Sequence, residues 1–429
     1  MIRILDSGEI PVCEIVRREA MTVNVEQIVA DIVADVQVNG DEALLRYTQK
    51  FDGAVLQSLE VTPQEIAEAW AQVEPEFLDI LQQAAQNIRD YHSRQLRQSY
   101  LINDQPGILL GQKILPLEKA GLYIPGGTAA YPSTVLMNCI PAKIAGVGEI
   151  IMVTPPQADG SVAPAILAAA KVAGVDRIFK VGGAQAIAAL AYGTRSIPKV
   201  DKITGPGNVF VAEAKRQVYG LVSIDMIAGP SEVLIIADES CNPRFAAADM
   251  LAQAEHDKLA AAVLITTSRP LAEQVAEEVE RQLRLLPREG IAAESIARNG
   301  KIILVKSLEE AVEISNLIAP EHLEICTENP FALMDGIKHA GSVFLGQYCP
   351  EALGDYLAGP NHTLPTGGTA RFSSAVSVDD FIKKTQFLYY TREALAKVQP
   401  QVTYFAEKEG LQAHGRSAAI RFEERQKDE

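Results

Sequence analysis

The chain has 429 residues, 48% of them hydrophobic, which is enough for roughly two to three domains with sizeable cores and excludes a wholly disordered protein. Its formal net charge of −16 argues against nucleic acid or anionic membranes as partners, because no basic surface is available to bind them. The 5 cysteines are scattered without a CxxC pair, the first residues become charged too early for a signal peptide, and no apolar run is long enough to cross a membrane. These features predict a cytoplasmic protein with reduced thiols.

Amphipathic helices are predicted for residues from about 24 to 100, where apolar residues recur at helical spacing. The first of these helical patterns is interrupted at Asn39-Gly40. A later one begins with Thr62, Pro63 and Glu65, the pattern of a capping box with proline at the first helical position. None of these helices carries an obvious chemical group, so we expect them to be scaffold.

Short apolar strands alternate with glycine-rich turns and helices from about residue 114 to 236, which predicts a parallel sheet with crossover helices. Ligands bind such sheets at the carboxyl ends of the strands, where the glycine turns fall. The candidate turns are GLYIPGG (121–127), VGGAQA (181–186) and TGPGN (204–208). Each can present backbone N–H groups to a pyrophosphate, but the GxGxxG and GxxxxGK patterns are absent, and each can equally be a plain tight turn. Three such turns in one unit favour a nucleotide-sized ligand without identifying it.

A second α/β stretch follows, with strands and helices alternating as far as the segment HAGSVFLG, and it predicts a second doubly wound unit. Within it, Gln253 and His256 are three residues apart at the C-terminal end of a predicted helix, so they share one helix face. From about residue 371 onward we predict a helical and more polar segment.

Four of the 6 histidines have neighbours that suggest chemistry, whereas His92 and His339 are interpreted as structural. The four are His256 with Gln253, His322 after Glu321, His362 near Asp355, and His414 shortly after Glu409. Imidazole, carboxylate and amide donors without thiolates suit a zinc site that keeps an open position. Glu321 and His322 form a possible acid/base pair, although ordinary polar residues at the start of a segment explain them equally well.

The residues alone leave more than one function open. One is a zinc hydrolase that acts on an amide or imine, with Glu321 as the base towards a metal-bound water. Another is a sugar- or nucleotide-binding α/β module without catalysis, which explains the glycine turns but gives the acid/base pair and the metal donors no role.

The motifs between about residues 121 and 417 resemble those of the histidinol dehydrogenase family. The segments that carry the resemblance are GLYIPGG, VGGAQAIAALAYGT, VDKITGPGNVFVAEAKRQV, IDMIAGPSEVLIIAD, DMLAQAEHD, ISNLIAPEHLEI, AGSVFLGQYCPEALGDYLAGPNHTLPT and EGLQAHGRSA. The segment IDMIAGPSEVLIIAD is very specific for this family.

The resemblance implies an NAD-dependent oxidoreductase with one zinc ion per subunit. Such an enzyme oxidises L-histidinol through L-histidinal to L-histidine with two NAD, in the final steps of histidine biosynthesis. Matching the motifs residue by residue implies that the zinc ligands are Gln253, His256, Asp355 and His414, and that the catalytic pair is Glu321 and His322. The residues implied to bind NAD are Tyr123, Gln185 and Asn208. The substrate would be bound by Ser231 and Glu409 together with the zinc ligands and the catalytic pair. It also implies a homodimer whose active sites are shared between subunits, with Glu409 and His414 reaching the partner's site.

We therefore expect an α/β fold with two doubly wound, incomplete Rossmann-like parallel-sheet domains and helical N- and C-terminal extensions. The predicted organisation is an N-terminal segment 1–22, a discontinuous α/β domain of 23–115 and 230–370, an NAD-binding α/β domain 116–229, and a helical dimerisation segment 371–429.

Overall fold

The structure is a computed structural model that describes residues 2–17, 24–126 and 130–423. The chain forms two compact units, one of Met1–Leu96 with Leu117–Phe381 and one of Arg97–Pro116 with Ile382–Glu429. In the described part of the chain, no helix is both long and apolar enough to cross a bilayer.

The strands are β1 (Arg3–Asp6), β2 (Tyr100–Ile102), β3 (Ile108–Pro116), β4 (Lys119–Tyr123), β5 (Glu149–Thr154), β6 (Arg177–Lys180), β7 (Lys202–Thr204), β8 (Ser223–Ile224), β9 (Glu232–Ala237), β10 (Ala261–Thr266), β11 (Lys301–Leu304), β12 (His322–Cys326), β13 (Ser342–Leu345) and β14 (Ile382–Tyr390). The helices are α1 (Val12–Ile15), α2 (Glu26–Asp52), α3 (Pro63–Gln72), α4 (Pro75–His92), α5 (Pro132–Ala145), α6 (Pro164–Ala173), α7 (Gly183–Tyr192), α8 (Val209–Val218), α9 (Pro243–Ala254), α10 (Arg269–Leu283), α11 (Glu289–Asn299), α12 (Leu308–Ile318), α13 (Phe331–Met334), α14 (Glu351–Tyr356), α15 (Arg392–Lys408) and α16 (Gln412–Ala419). Short 3-10 turns occur at Ser93–Gln95, Thr369–Arg371, Val378–Phe381 and Ile420–Phe422.

The first unit contains two parallel sheets, and both are doubly wound, although the six-stranded sheet has the N-terminal strand β1 as an additional edge strand. The five-stranded sheet runs β6-β5-β4-β7-β8, and the six-stranded sheet runs β1-β11-β10-β9-β12-β13. In the five-stranded sheet, the chain adds β5 and β6 on one side of β4 and then β7 and β8 on the other side. In the six-stranded sheet, it adds β10 and β11 on one side of β9 and then β12 and β13 on the other. The switch points lie between β4 and β7 and between β9 and β12. The predicted fold class is confirmed.

The N-terminal helices pack on the five-stranded sheet. Side chains of α2, such as Val29, share a hydrophobic cluster with Ile187 of α7, while Ile88 of α4 belongs to a second cluster with Leu136 of α5. Both clusters bury residues of that sheet, so the scaffold predicted for these helices supports one sheet in particular. The predicted domain boundaries stay predictions.

Local signals in the sequence correspond to the helix boundaries near the N-terminus. Thr62 accepts a hydrogen bond from the backbone N–H of Glu65, whose side chain accepts one from the N–H of Thr62, so the capping box is formed. Gly40 adopts φ 48° and ψ −128° inside α2, which interrupts the helical backbone where Asn39-Gly40 predicts a break.

The second unit contains an antiparallel sheet of order β14-β3-β2, followed by α15 and α16. The prediction of helix throughout the segment from residue 371 is wrong for Ile382–Tyr390, which pairs with β3 along its 9 residues. The partner strand lies far away in the sequence, and periodicity in one segment does not reveal such a partner.

Candidate active site

The carboxyl edge of the five-stranded sheet holds the three residues predicted to bind NAD. Tyr123 is the last residue of β4 and is buried, and its hydroxyl accepts a hydrogen bond of 3.1 Å from the N–H of Gly183 at the start of α7. Burial raises the pKa of Tyr123 to about 12, so the hydroxyl stays neutral and keeps its own proton to donate. Gln185 is buried in the first turn of α7. The glycine turns therefore lie at the strand ends where they are predicted.

Asn208 lies at the switch point of this sheet, directly after the turn that follows β7. It is the N-cap of α8, and its side-chain oxygen accepts hydrogen bonds from the N–H groups of Phe210 and Val211. Asn208 is exposed, so its amide NH₂ is available to a ligand. Gly127 of the GLYIPGG motif, with the two residues after it, lies outside the described residues.

The acid/base candidates lie at the amino edge of the six-stranded sheet. His322 is the first residue of β12 and is level with Val233 of β9, and Ser231 immediately precedes β9. The N–H of Glu232 donates to Oε2 of Glu321 at 2.9 Å, and Nδ1 of His322 lies 3.1 Å from the carbonyl oxygen of Glu232. The start of β9 thus orients both members of the pair.

The tautomer of neutral His322 follows from this contact. A carbonyl oxygen only accepts hydrogen bonds, so Nδ1 must carry a proton and Nε2 of the neutral ring keeps its lone pair. Nε2 is buried and has no hydrogen-bond partner among the described residues, since Oδ1 of Asp355 lies 3.8 Å away. A buried nitrogen without a partner is costly unless a ligand satisfies it.

Helix α14 places two further carboxyl groups beside this histidine. Glu351 begins the helix, with Oε2 3.8 Å from Nδ1 of His322, and Asp355 follows one turn later. Ligand atoms of His256, Glu351 and Asp355 all lie within 4.8 Å of one another. Glu351 was not predicted from the sequence, although its spacing of four residues from Asp355 places the two carboxyl groups on one helix face.

Helix α9 contributes the other metal candidates. The helix ends at Ala254, so His256 lies in the turn that follows it. The prediction that Gln253 and His256 share one helix face is therefore wrong. The N–H of His256 donates to the carbonyl oxygen of Gln253 at 3.2 Å, and the Gln253 side chain is fully buried. The helix that follows a parallel strand runs back across the sheet, and this brings its C-terminal end to the amino edge.

The carboxyl groups around His322 have strongly perturbed pKa values. Burial raises the pKa of Glu321 to about 8 and that of Glu351 to about 7, although the imidazolium of His322 opposes both shifts. Burial alone would lower the pKa of His322, but Glu351, Glu321 and Asp355 outweigh it and hold that pKa well above its usual value. Glu321 is therefore a stronger base than an ordinary carboxylate, with a pKa close to neutral pH, where proton transfer is most effective.

The remaining groups have the protonation states that a cation needs. Partial loss of hydration lowers the pKa of His256, although part of this residue is exposed to solvent. Burial lowers the pKa of His362, so both imidazoles are neutral. Burial opposes ionisation of Asp355, but the positive charge of the adjacent His322 ring outweighs it and lowers the Asp355 pKa. Neutral imidazole and ionised carboxylate are ligands for zinc, so the donor set fits that metal.

His362 connects the edges of the two sheets. Its Nδ1 lies 2.9 Å from the carbonyl oxygen of Asp355, and its Nε2 lies 3.2 Å from the hydroxyl of Thr134 in the first turn of α5. Asn138, one turn later, donates to Thr363 at 3.2 Å. Because α5 begins shortly after β4, these bonds join the carboxyl edge of one sheet to the acidic cluster of the other, which consists of Glu321, Glu351 and Asp355 around His322.

The glycine turns thus lie at the carboxyl ends of the strands of one sheet, whereas the acid/base and metal candidates lie at the amino edge of the other, a location that was not predicted. Glu409 and His414 belong to the second unit, where Glu409 is the C-cap of α15 and His414 lies in α16. Both side chains are exposed, and their assigned roles stay predictions.

Comparisons with known proteins decide the family. A family model described as histidinol dehydrogenase matches residues 15–422. The chain belongs to the histidinol dehydrogenase family. The family predicted from the motifs is confirmed, and with it the enzyme class, an oxidoreductase.

Relatives in this family span nearly the whole chain. The chain is 58% identical over 391 residues to a histidinol dehydrogenase of Clostridium acetobutylicum, with 91% of each protein covered. It is 58% identical over 400 residues to one of Bacillus cereus, with 93% of each covered. A crystal structure of histidinol dehydrogenase from Elizabethkingia anophelis matches with a TM-score of 0.94, at 41% identity, and covers 98% of each chain.

Proposed function

We propose that this protein catalyses the zinc-dependent, four-electron oxidation of L-histidinol through L-histidinal to L-histidine with two NAD, the final steps of histidine biosynthesis, in the cytoplasm. The observation that carries the proposal is the buried imidazole of His322. Its Nε2 has no hydrogen-bond partner in the described chain and lies 3.8 Å from Oδ1 of Asp355, while its Nδ1 lies 3.8 Å from a carboxyl oxygen of Glu321 and of Glu351. Membership of the family supplies the substrate.

Zinc would be held by Gln253, His256, Asp355 and His414. The closeness of His256 and Asp355 supports the choice, and Glu351 offers a further carboxylate oxygen in the same group. When bound, the ion anchors the imidazole and the amine of the substrate, both of which are good zinc ligands. Orientation of this kind is worth several kcal/mol, up to roughly 7–11 in the best cases.

In the first oxidation, His322 acts as the general base. The raised pKa of His322 makes its ring a strong proton acceptor. In the neutral ring the Nδ1 proton is directed to the carbonyl oxygen of Glu232, so the Nε2 lone pair is left to take the proton of the substrate hydroxyl. The two pKa values raised by burial, those of Glu321 and Glu351, leave carboxyl groups nearby that can exchange that proton near neutral pH.

In the second oxidation, Glu321 activates the water that attacks the bound aldehyde. Its Oε2 accepts the hydrogen bond from the N–H of Glu232, which fixes the carboxyl group beside His322. His322 then takes the proton of the hydrated aldehyde. Burial of Glu321 and His322 limits the access of other water molecules, which would protect the bound aldehyde from side reactions.

NAD would bind at the switch point between β4 and β7, with contacts from Tyr123, Gln185 and Asn208. The neutral Tyr123 hydroxyl and the exposed Asn208 amide support this placement. When bound, NAD accepts the hydride in each oxidation. The bond between Thr134 and His362 makes this edge continuous with the acidic cluster.

A homodimer with shared active sites would give Glu409 and His414 their roles, since each would reach the partner's site. The second unit exposes large apolar side chains that an interface would cover, among them Leu101 (55% exposed), Leu388 (72%), Tyr404 (61%) and Phe405 (67%).

The test of the proposed function is the number of NADH molecules formed per L-histidinol consumed, measured with metal-free and zinc-loaded enzyme. Two NADH per substrate, formed only with metal, are expected. No NADH from a folded, zinc-loaded dimer would refute the substrate or the reaction.

Replacing His256 with alanine is expected to weaken zinc binding by more than about 100-fold, because loss of a ligand costs more than loss of an outer-shell partner, worth roughly 10–100-fold. Zinc content after dialysis against a metal buffer measures this effect. His339→Ala is the control, since His339 lies outside the acidic cluster. A full zinc complement in His256→Ala at limiting metal would remove His256 from the ligand set.

A further inference from the structure

The turn that leads from β7 to Asn208 is held by a buried ion pair that the mechanism does not use. Lys215 of α8 and Asp225, which follows β8, have side chains only 2% and 1% exposed, and Nζ lies 2.6 Å from Oδ1. Few lysines are buried to this extent, and a buried charge persists only where partners compensate its lost hydration.

Both charges bind the same residue of the turn, Gly205. Nζ of Lys215 donates to the carbonyl oxygen of Gly205 at 2.6 Å, and Oδ2 of Asp225 accepts from the N–H of Gly205 at 2.8 Å. Oδ1 of Asp225 also accepts from the N–H of Met226 at 2.7 Å. Charge-assisted hydrogen bonds of this kind are stronger than neutral ones, so they restrain the peptide units on both sides of Gly205.

The position of Gly205 leaves little freedom for the turn to move. Its φ is +116°, and a Cβ built on it would lie 2.0 Å from the carbonyl oxygen of Tyr123. The backbone of Gly205 therefore packs against the residue that ends β4, across the switch point of the sheet. Lys215 is on the same helix that Asn208 caps, so its bond to Gly205 ties that helix to the turn.

A buried ion pair is weak evidence of stabilisation, because the desolvation of two charges offsets much of their attraction. Apolar side chains of similar size would fill this space in a purely structural core. The charged groups here fix the orientation of one turn, because each of them binds a defined backbone atom of Gly205.

We propose that Lys215 and Asp225 are positioning residues for NAD, and that they hold the turn 205–208 and the start of α8 in the geometry that the dinucleotide requires. This inference rests on the proposed function, because NAD is the ligand assigned to the turn. The residues act through the backbone of Gly205 and make no contact with the ligand themselves.

The test is the double variant Lys215→Met/Asp225→Asn, which removes both charges and leaves no buried ion unpaired. It is compared with the single variant Asp225→Asn, which leaves the buried charge of Lys215 without its partner. The double variant is expected to raise the KM for NAD by about 10- to 100-fold, the cost of a displaced binding group, while the KM for L-histidinol and the zinc content stay as in the wild type. Binding of NAD measured by calorimetry should weaken by the same factor.

The matched control is Lys202→Met/Asp380→Asn. That pair lies in the same unit, with Nζ 2.7 Å from Oδ1, and Asp380 also accepts a backbone N–H, that of Ser377, at 2.8 Å. It makes no bond to the turn, so the KM for NAD should not change. An unchanged KM for NAD in the folded Lys215/Asp225 double variant, or an equal rise in the control, would overturn the inference.

Failure of the proposed function would be seen separately, as the absence of NADH formation by the wild type. Calorimetry would still decide the inference in that case. Weaker NAD binding by the double variant than by the wild type would support it, and no NAD binding by the wild type would overturn it.

Discussion

Replacing His322 with asparagine is expected to lower the turnover of L-histidinol by about 10²- to 10⁴-fold, the usual contribution of a positioned general base. Both oxidations should be affected, because the proposed mechanism uses Nε2 of His322 in each. Asparagine lacks an atom that can take a proton at that place. The zinc content should stay normal, since His322 is outside the predicted ligand set.

The measurement is the kcat for L-histidinol and, separately, for L-histidinal, with zinc content determined on the same samples. His339→Asn is the control, because that side chain is partly exposed and lies outside the cluster. Unchanged turnover in a folded, zinc-loaded His322→Asn enzyme would exclude His322 from the mechanism.

Replacing Glu321 with glutamine is expected to lower the rate of the second oxidation by about 10²- to 10⁴-fold, and that of the first much less. Glutamine keeps an oxygen that can accept the 2.9 Å hydrogen bond from the N–H of Glu232, so the local structure should persist. What is lost is a carboxyl group whose pKa burial raises to about 8 and which is therefore able to take a proton from water near neutral pH.

A single-turnover experiment resolves the two steps, with L-histidinol and L-histidinal supplied in separate reactions. NADH formed per L-histidinol should fall from two towards one as the aldehyde accumulates. His322→Asn provides the matched comparison, because it should slow both steps alike. Equal losses in both steps for Glu321→Gln would contradict the water-activating role.

Local sequence determined most of the elements of the two sheets. Alternating apolar runs, glycine turns and helical periodicity are short-range patterns, and they were sufficient to predict the doubly wound sheets, the capping box at Thr62 and the break at Gly40. The motifs were specific enough to predict the family, which the comparisons confirm. The glycine turns also lie at the strand ends that the alternation implied.

Only the tertiary structure showed where the acid/base and metal candidates meet. His256 comes from the turn after a helix, His322 from the start of a strand and Asp355 from a short helix, and they converge at the amino edge of one sheet. No spacing along the chain encodes that convergence, because it depends on the direction in which each crossover helix returns. The bridging role of His362 was missed for the same reason, whereas the spacing of Glu351 from Asp355 was a local signal that was overlooked.

Long-range pairing also decided the fold of the C-terminal segment. Ile382–Tyr390 is a strand because β3, more than two hundred residues earlier, offers it hydrogen-bond partners along its whole length. The ion pair of Lys215 and Asp225 was likewise not predicted, because it forms between a helix and the end of the following strand, which only the fold brings together. Local periodicity and turn chemistry are properties of a segment, whereas the energies of pairing and burial depend on which distant segments the fold brings together.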